Sequence, residues 1–102
     1  MQENHYYKCE AFLKEYKKKL ISACKKHKQI DMNKIDVRVF RDESNIWAMI
    51  CIKGTGASIM IDKHSVYCEN FRYFKYYENT DKKTQKMLEF IEDNLETIFE
   101  NV

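Results

Sequence analysis

Apolar residues recur along this chain with two different periods, and the change of period divides it into elements. Between about residues 4 and 28, Cys9, Phe12, Leu13, Tyr16, Leu20, Ala23, Cys24 and His27 fall three or four apart. That spacing predicts a helix with one apolar stripe. Lys14, Lys17, Lys18, Lys25 and Lys28 occupy the opposite face. Glu3, Glu10 and Glu15 precede the later lysines, an order that suits the helix dipole.

From about residue 35 the period becomes two. "IDVRVF" sets Ile35, Val37 and Val39 on one face, and "ASIMID" does the same for Ala57, Ile59 and Ile61. "NIWAMICIK" is apolar at every position but its ends, as a central strand is. "RDESN", "KGTGA" and "DKHS" carry turn chemistry between these runs. "HSVYCE" opens a further strand that runs on into an aromatic stretch. The expected strands are 35–41, 46–53, 57–62 and 65–76. A second helix is expected from Thr80 as N-cap to about Asn101, with Leu88, Ile91, Leu95, Ile98 and Val102 as its stripe and Met87 and Phe99 beside it. The expectation is therefore an α+β domain over 1–102: helix, four-stranded antiparallel meander, helix, both helices on one sheet face.

Two geometric expectations follow. A helix of residues 4–28 would be about 37 Å long, against about 23 Å for a seven-residue strand, so it would overhang the sheet. Four strands would set the two helices antiparallel and bring Lys25, Lys26 and Lys28 towards Lys82, Lys83 and Lys86. Three strands would set them parallel, and the late lysines would meet Glu92, Glu96 and Glu100. Helix two is also charged against its own dipole, with lysines first and acids last.

Composition narrows the class. The chain has 102 residues, 44% hydrophobic, with no proline, enough for one real core without staples. Its net charge of +2 is unevenly spread: basic over 1–34, near neutral over 35–77 and acidic over 78–102. A uniformly acidic nucleic-acid mimic and a uniformly basic coat protein are both excluded. No apolar run approaches the roughly 18 residues a membrane span needs, and "MQENHYYKCE" lacks a signal peptide's order. Cys9, Cys24, Cys51 and Cys68 are widely spaced, which reads as reduced, buried thiols in a cytoplasmic protein. The preference for Lys over Arg, with frequent Ile, Asn and Tyr, suggests an AT-rich genome such as a low-GC bacterium or its phage.

Candidate chemistry is sparse. His5 with Cys9, Cys24 with His27, and His64 with Cys68 have ligand-like spacing, but zinc needs four converging ligands. The two helical pairs would lie about 28 Å apart along the axis, so no metal is expected. No nucleophile elbow, zinc-protease motif or local Cys-His signature occurs. "KGTGAS" reads as a hairpin turn rather than a phosphate loop. No cofactor and no enzymatic activity are expected; a small enzyme or metal-binding protein is the remote alternative.

The stretch "ENFRYFKYYEN" packs five aromatics into seven residues. In an extended chain Phe71, Tyr73 and Tyr77 alternate with Arg72, Phe74 and Tyr76. Phe40, Trp47, Met49, Met60 and Tyr67 fall out of phase with the inward residues of their strands, so a broad aromatic sheet face is expected. A patch beyond a few hundred Å² marks an interface, and its residue types are those enriched at protein contacts. The leading expectation is a non-enzymatic binding protein that occupies a protein or nucleoprotein partner. Its size suits a phage or mobile-element inhibitor of host machinery, such as an anti-CRISPR protein, and a homodimer is a further use of the face.

The second function class is direct nucleic-acid binding. The order helix, three-stranded meander, helix resembles the double-stranded-RNA-binding domain. Lys82, Lys83 and Lys86 match the spacing of that family's Lys-Lys-x-Ala-Lys motif, with Gln85 where the motif has alanine. The resemblance implies phosphate contacts from these lysines, with shape-specific, salt-sensitive binding. It is confined to three lysines and an element order, and it assigns no family.

Overall fold

The structure is a computed structural model that describes residues 9–43, 45–65, 73–76 and 80–102, with the backbone alone at 64, 65 and 73–76. Helix α1 spans Glu10–Lys25. A short 3-10 turn, Met32–Lys34, leads into β1, Ile35–Arg41. Strands β2, Asn45–Ile52, and β3, Ser58–Ser65, follow, then α2, Lys82–Asp93, and α3, Leu95–Phe99. The architecture is α+β: an N-terminal helix, an antiparallel sheet of three long strands, and C-terminal helices. The backbone of Tyr73–Tyr76, β4, runs antiparallel along the outer side of β3.

The core forms on one face of the sheet. Ile35 and Val37 of β1, the even residues Ile46 to Ile52 of β2, and Ile59 and Ile61 of β3 are buried. They cluster with Tyr16, Leu20 and Cys24 of α1 and with Leu88, Ile91, Ile98 and Phe99 of the C-terminal helices. Each fully buried aliphatic or aromatic side chain is worth about 1.5–3 kcal/mol, so this face holds the fold together. The helices run antiparallel. His27, just past α1, packs on Phe90 with ring centroids 5.8 Å apart, while Phe12 and Tyr16 share a groove with Asn101 and Val102.

Several expected boundaries move, each for a local reason. Helix α1 begins at Glu10 because Cys9 caps it, its Sγ accepting the Phe12 N–H at 3.4 Å. Cys9 is therefore exposed rather than part of the buried stripe. The described helix is 16 residues long, about 24 Å, comparable to the strands; the expected start over residues 4–8, and with it the expected overhang at that end, lies outside the described residues. The second helix starts one residue later than expected. Asp81, not Thr80, is its N-cap and accepts the Thr84 N–H at 2.7 Å. It is also two helices rather than one. At Asn94 the side-chain amide donates to the Phe90 carbonyl at 2.8 Å, the competition with the backbone ladder that makes asparagine a poor helix-interior residue.

The largest change is at "DKHS", which is strand rather than turn. β3 continues through it to Ser65, and the register to β2 shifts there: Ala48 pairs with Ile61, whereas Ile46 pairs with His64. Asp62 and Lys63 thus oppose the single residue Trp47, which is a β-bulge. The expected strand 65–76 is accordingly drawn differently: residue 65 closes β3, residues 66–72 lie outside the described residues, and 73–76 pair with β3.

Candidate protein-binding face

The second sheet face is set by the alternation of the same strands. Along β2, Trp47, Met49 and Cys51 are half-buried, while their neighbours Ile46, Ala48, Ile50 and Ile52 are buried. Phe40 and Met60 are half-buried and Arg38 is exposed. The register aligns Arg38, Met49 and Met60 in one cross-strand row, and Asp36, Cys51 and Ser58 in the next. Phe40 opposes Trp47 directly, and their rings stack at 5.7 Å with 20° between planes. Such a pair is worth about 0.5–1.5 kcal/mol beyond its area. Among the described residues no helix packs on this face; the helices sit over the core.

The bulge explains why Trp47 leans on β1. With two residues of β3 opposite it, Trp47 has no in-line neighbour there, and Phe40 is its cross-strand partner. Lys63, two residues beyond the buried Ile61, falls on the helix side. Its Nζ donates to the carbonyls of Phe99, Glu100 and Val102 at 2.8, 3.0 and 2.9 Å. A lysine on the last carbonyls of a helix is a favourable C-terminal partner. Burial lowers the Lys63 pKa, and the charge of Glu100 opposes that shift. Burial, and then the charge of Asp62, push the Tyr16 phenol up.

At the β1 side, Arg38 Nε donates to Asp36 Oδ2 at 2.9 Å. That hydrogen bond, and then the carboxylate's charge, raise the Arg38 pKa. Burial raises the Cys51 thiol, with Arg38 opposing.

Of the expected contact residues, Phe40, Trp47, Met49 and Met60 are gathered by the structure into one patch. The backbone register puts Phe74 opposite Met60 and Tyr76 opposite Ser58, on rows belonging to this face. Tyr73 instead pairs with Ile61, a core-face position. Tyr67, Phe71, Arg72 and Tyr77 lie outside the described residues.

The six candidate lysines, Lys25, Lys26, Lys28, Lys82, Lys83 and Lys86, are all exposed. The two groups have different neighbours. Lys26 lines a groove with Thr97 and Asn101, and His27 sits on Phe90. At the start of α2 the neighbours are Asp31, whose N–H meets Met87 Sδ at 3.3 Å, and Lys34. The Asp81 carboxyl lies below its ordinary range through its bonds from Thr84, and then through the charges of Lys34 and Lys83.

Other chemistry does not converge. Among the described residues no three His, Cys, Asp or Glu side chains gather to hold a metal; His5 and Cys68 lie outside them. Cys9, Cys24 and Cys51 are free thiols, and burial pushes Cys24 up to about 12. A groove of about 620 Å³ between the start of α1 and the last residues is lined by Phe12, Glu15, Tyr16, Lys19 and Val102 among others. Glu15 and Lys19 are the charged side chains of that lining.

The bulge had no period-two signature, because it breaks the alternation that reveals a strand. No helix among the described residues is long and apolar enough to cross a membrane. Comparison with protein-family models, with curated proteins and with solved structures found no match.

Proposed function

We propose that this chain is a binding protein that acts without catalysis, by occupying a protein or nucleoprotein partner through its second sheet face. The observation that supports this is the stacked Phe40–Trp47 pair beside Met49 and Met60, half-exposed on a face that no described helix covers. Aromatic, Met and Arg side chains dominate the energetic centres of protein interfaces. The same reading puts the protein in the cytoplasm with its thiols reduced. A phage or mobile-element inhibitor of host machinery, of the anti-CRISPR kind, is the role we favour, and it rests on size and composition alone.

The test is capture by immobilised protein, run with wild type and with a Trp47→Ser/Met60→Ser variant, each before and after nuclease treatment. A protein held by wild type, retained after nuclease and lost with the variant supports the reading. Equal capture by both forms overturns it.

A second reading has its own observation: Lys82, Lys83 and Lys86 are all exposed over the first turns of α2. Three phosphate contacts would give log affinity a slope of about −3 against log salt on duplex DNA. Replacing the three lysines with Glu is expected to leave the principal activity intact. Tight binding to DNA or RNA at physiological salt, abolished by that reversal, would make this reading the better one.

A further inference from the structure

β1 is the edge of the sheet, since the strand order begins with it and only β2 pairs with it. Its ladder to β2 is regular over all seven residues, without the bulge found further in. Hydrogen bonds at Asp42–Asn45 and Lys34–Lys53 fix the phase of that ladder. Even-numbered residues of β1 direct their backbone groups to β2. Ile35, Val37 and Val39 therefore direct N–H and C=O outward, and among the described residues no strand meets them. Native proteins blunt such edges with bulges, prolines, short strands or charged side chains; β1 has no bulge and no proline, and its charged residues Asp36, Arg38 and Arg41 carry both signs.

The side chains of β1 say what fits there. We infer that β1 pairs antiparallel with β1 of a second copy, about a two-fold axis through Val37. In this register Val37 opposes Val37 of the second copy, and Ile35 opposes its Val39. All the outward backbone groups of these residues are then satisfied. Asp36 falls opposite Arg38 of the second copy, and Arg38 opposite its Asp36. These are the close, non-hydrogen-bonded positions, where cross-strand side chains approach most nearly.

Neighbouring registers lack this match. A slip one way sets Arg38 against Arg38, and a slip the other way sets Asp36 against Asp36; like charges directly opposite are destabilising. The Asp36–Arg38 ion pair, with side chains 43% and 61% exposed, is thus self-complementary under a two-fold axis, as an isologous contact requires. The extended sheet would carry both second faces on one side, so the contact enlarges the aromatic surface without using it.

The test is the oligomeric state by sedimentation equilibrium for wild type and two charge reversals, Asp36→Lys and Arg38→Glu. Wild type is expected to be a dimer of the 12.4 kDa chain. Each reversal sets like charges opposite one another twice and is expected to weaken self-association at least tenfold. An equimolar mixture of the two reversals restores both opposite-charge pairs and is expected to recover a dimer of near wild-type affinity. Both positions lie on the second face rather than in the core, and circular dichroism checks that each variant folds. Wild type that stays monomeric at several hundred micromolar overturns the inference. So does a dimer that both reversals leave unchanged, or a mixture no tighter than its components. Trp47→Ser is expected to leave the dimer intact, which separates this contact from the proposed partner face.

Discussion

The two faces of the sheet are made by alternate residues of the same strands, yet they behave as different materials. On the helix side, Ile50, Ile59 and Ile61 are fully buried against Leu88, Ile91 and Phe99. On the other side, Trp47, Met49 and Met60 are equally apolar but half-exposed. β2 supplies both sets within eight residues. Hydrophobic character alone therefore does not say which residues hold a fold together; coverage by a second layer does. An apolar face that no layer among the described residues covers is the one the proposed partner would occupy.

Substitutions on the two faces separate coverage from hydrophobicity. Phe99→Ala empties a fully buried site and is expected to cost about 3–5 kcal/mol of unfolding free energy. Trp47→Ser is expected to cost less: about 1 kcal/mol for its stack on Phe40, with about 1 kcal/mol more for a ring only half-buried. Urea unfolding measures both. Equal costs would make the second face a true core.

Thiol chemistry sharpens the contrast. Cys24 is buried and its folded pKa is about 12, against 9.0 for an ordinary thiol. A raised folded pKa contributes stability that is complete below pH 9 and is lost as pH rises towards 12, because the unfolded chain ionises first. Stability should therefore fall over that window, and Cys24→Ala should flatten the fall. Exposed Cys9 should react with a thiol reagent far faster than Cys24.

Smaller effects belong to the helix ends. Lys63→Met removes the amine from three carbonyls and is expected to cost about 1 kcal/mol. Amide exchange should speed up over residues 95–102 but not along β2. Asp81→Ala removes the cap on α2 and should lower Tm least. Because the Asp81 pKa is depressed, that contribution is present above about pH 3.8 and is lost on acidification below it.

Much of this was legible in the sequence. Period-two alternation located β1 and β2 to within a residue, and the helical stripe named Leu88, Ile91, Leu95, Ile98 and Phe99, all buried. The out-of-phase residues Phe40, Trp47, Met49 and Met60 were legible for the same reason. What escaped was local and polar. Asp62–Lys63 read as a turn because a charged pair interrupts the alternation, whereas the strand bulges there and spends Lys63 on a distant helix end. Asn94 sits at the expected helical spacing, and its side-chain bond to Phe90 shows only in three dimensions.

The central claim is that the second face binds while the first face folds. Its most direct test is one paired measurement on Trp47→Ser/Met60→Ser: urea unfolding, and affinity for the protein that wild type captures. Unfolding free energy is expected within about 3 kcal/mol of wild type, and affinity weakened more than about tenfold, as loss of an interface hot spot produces. A variant that unfolds, or one that binds like wild type, would contradict it.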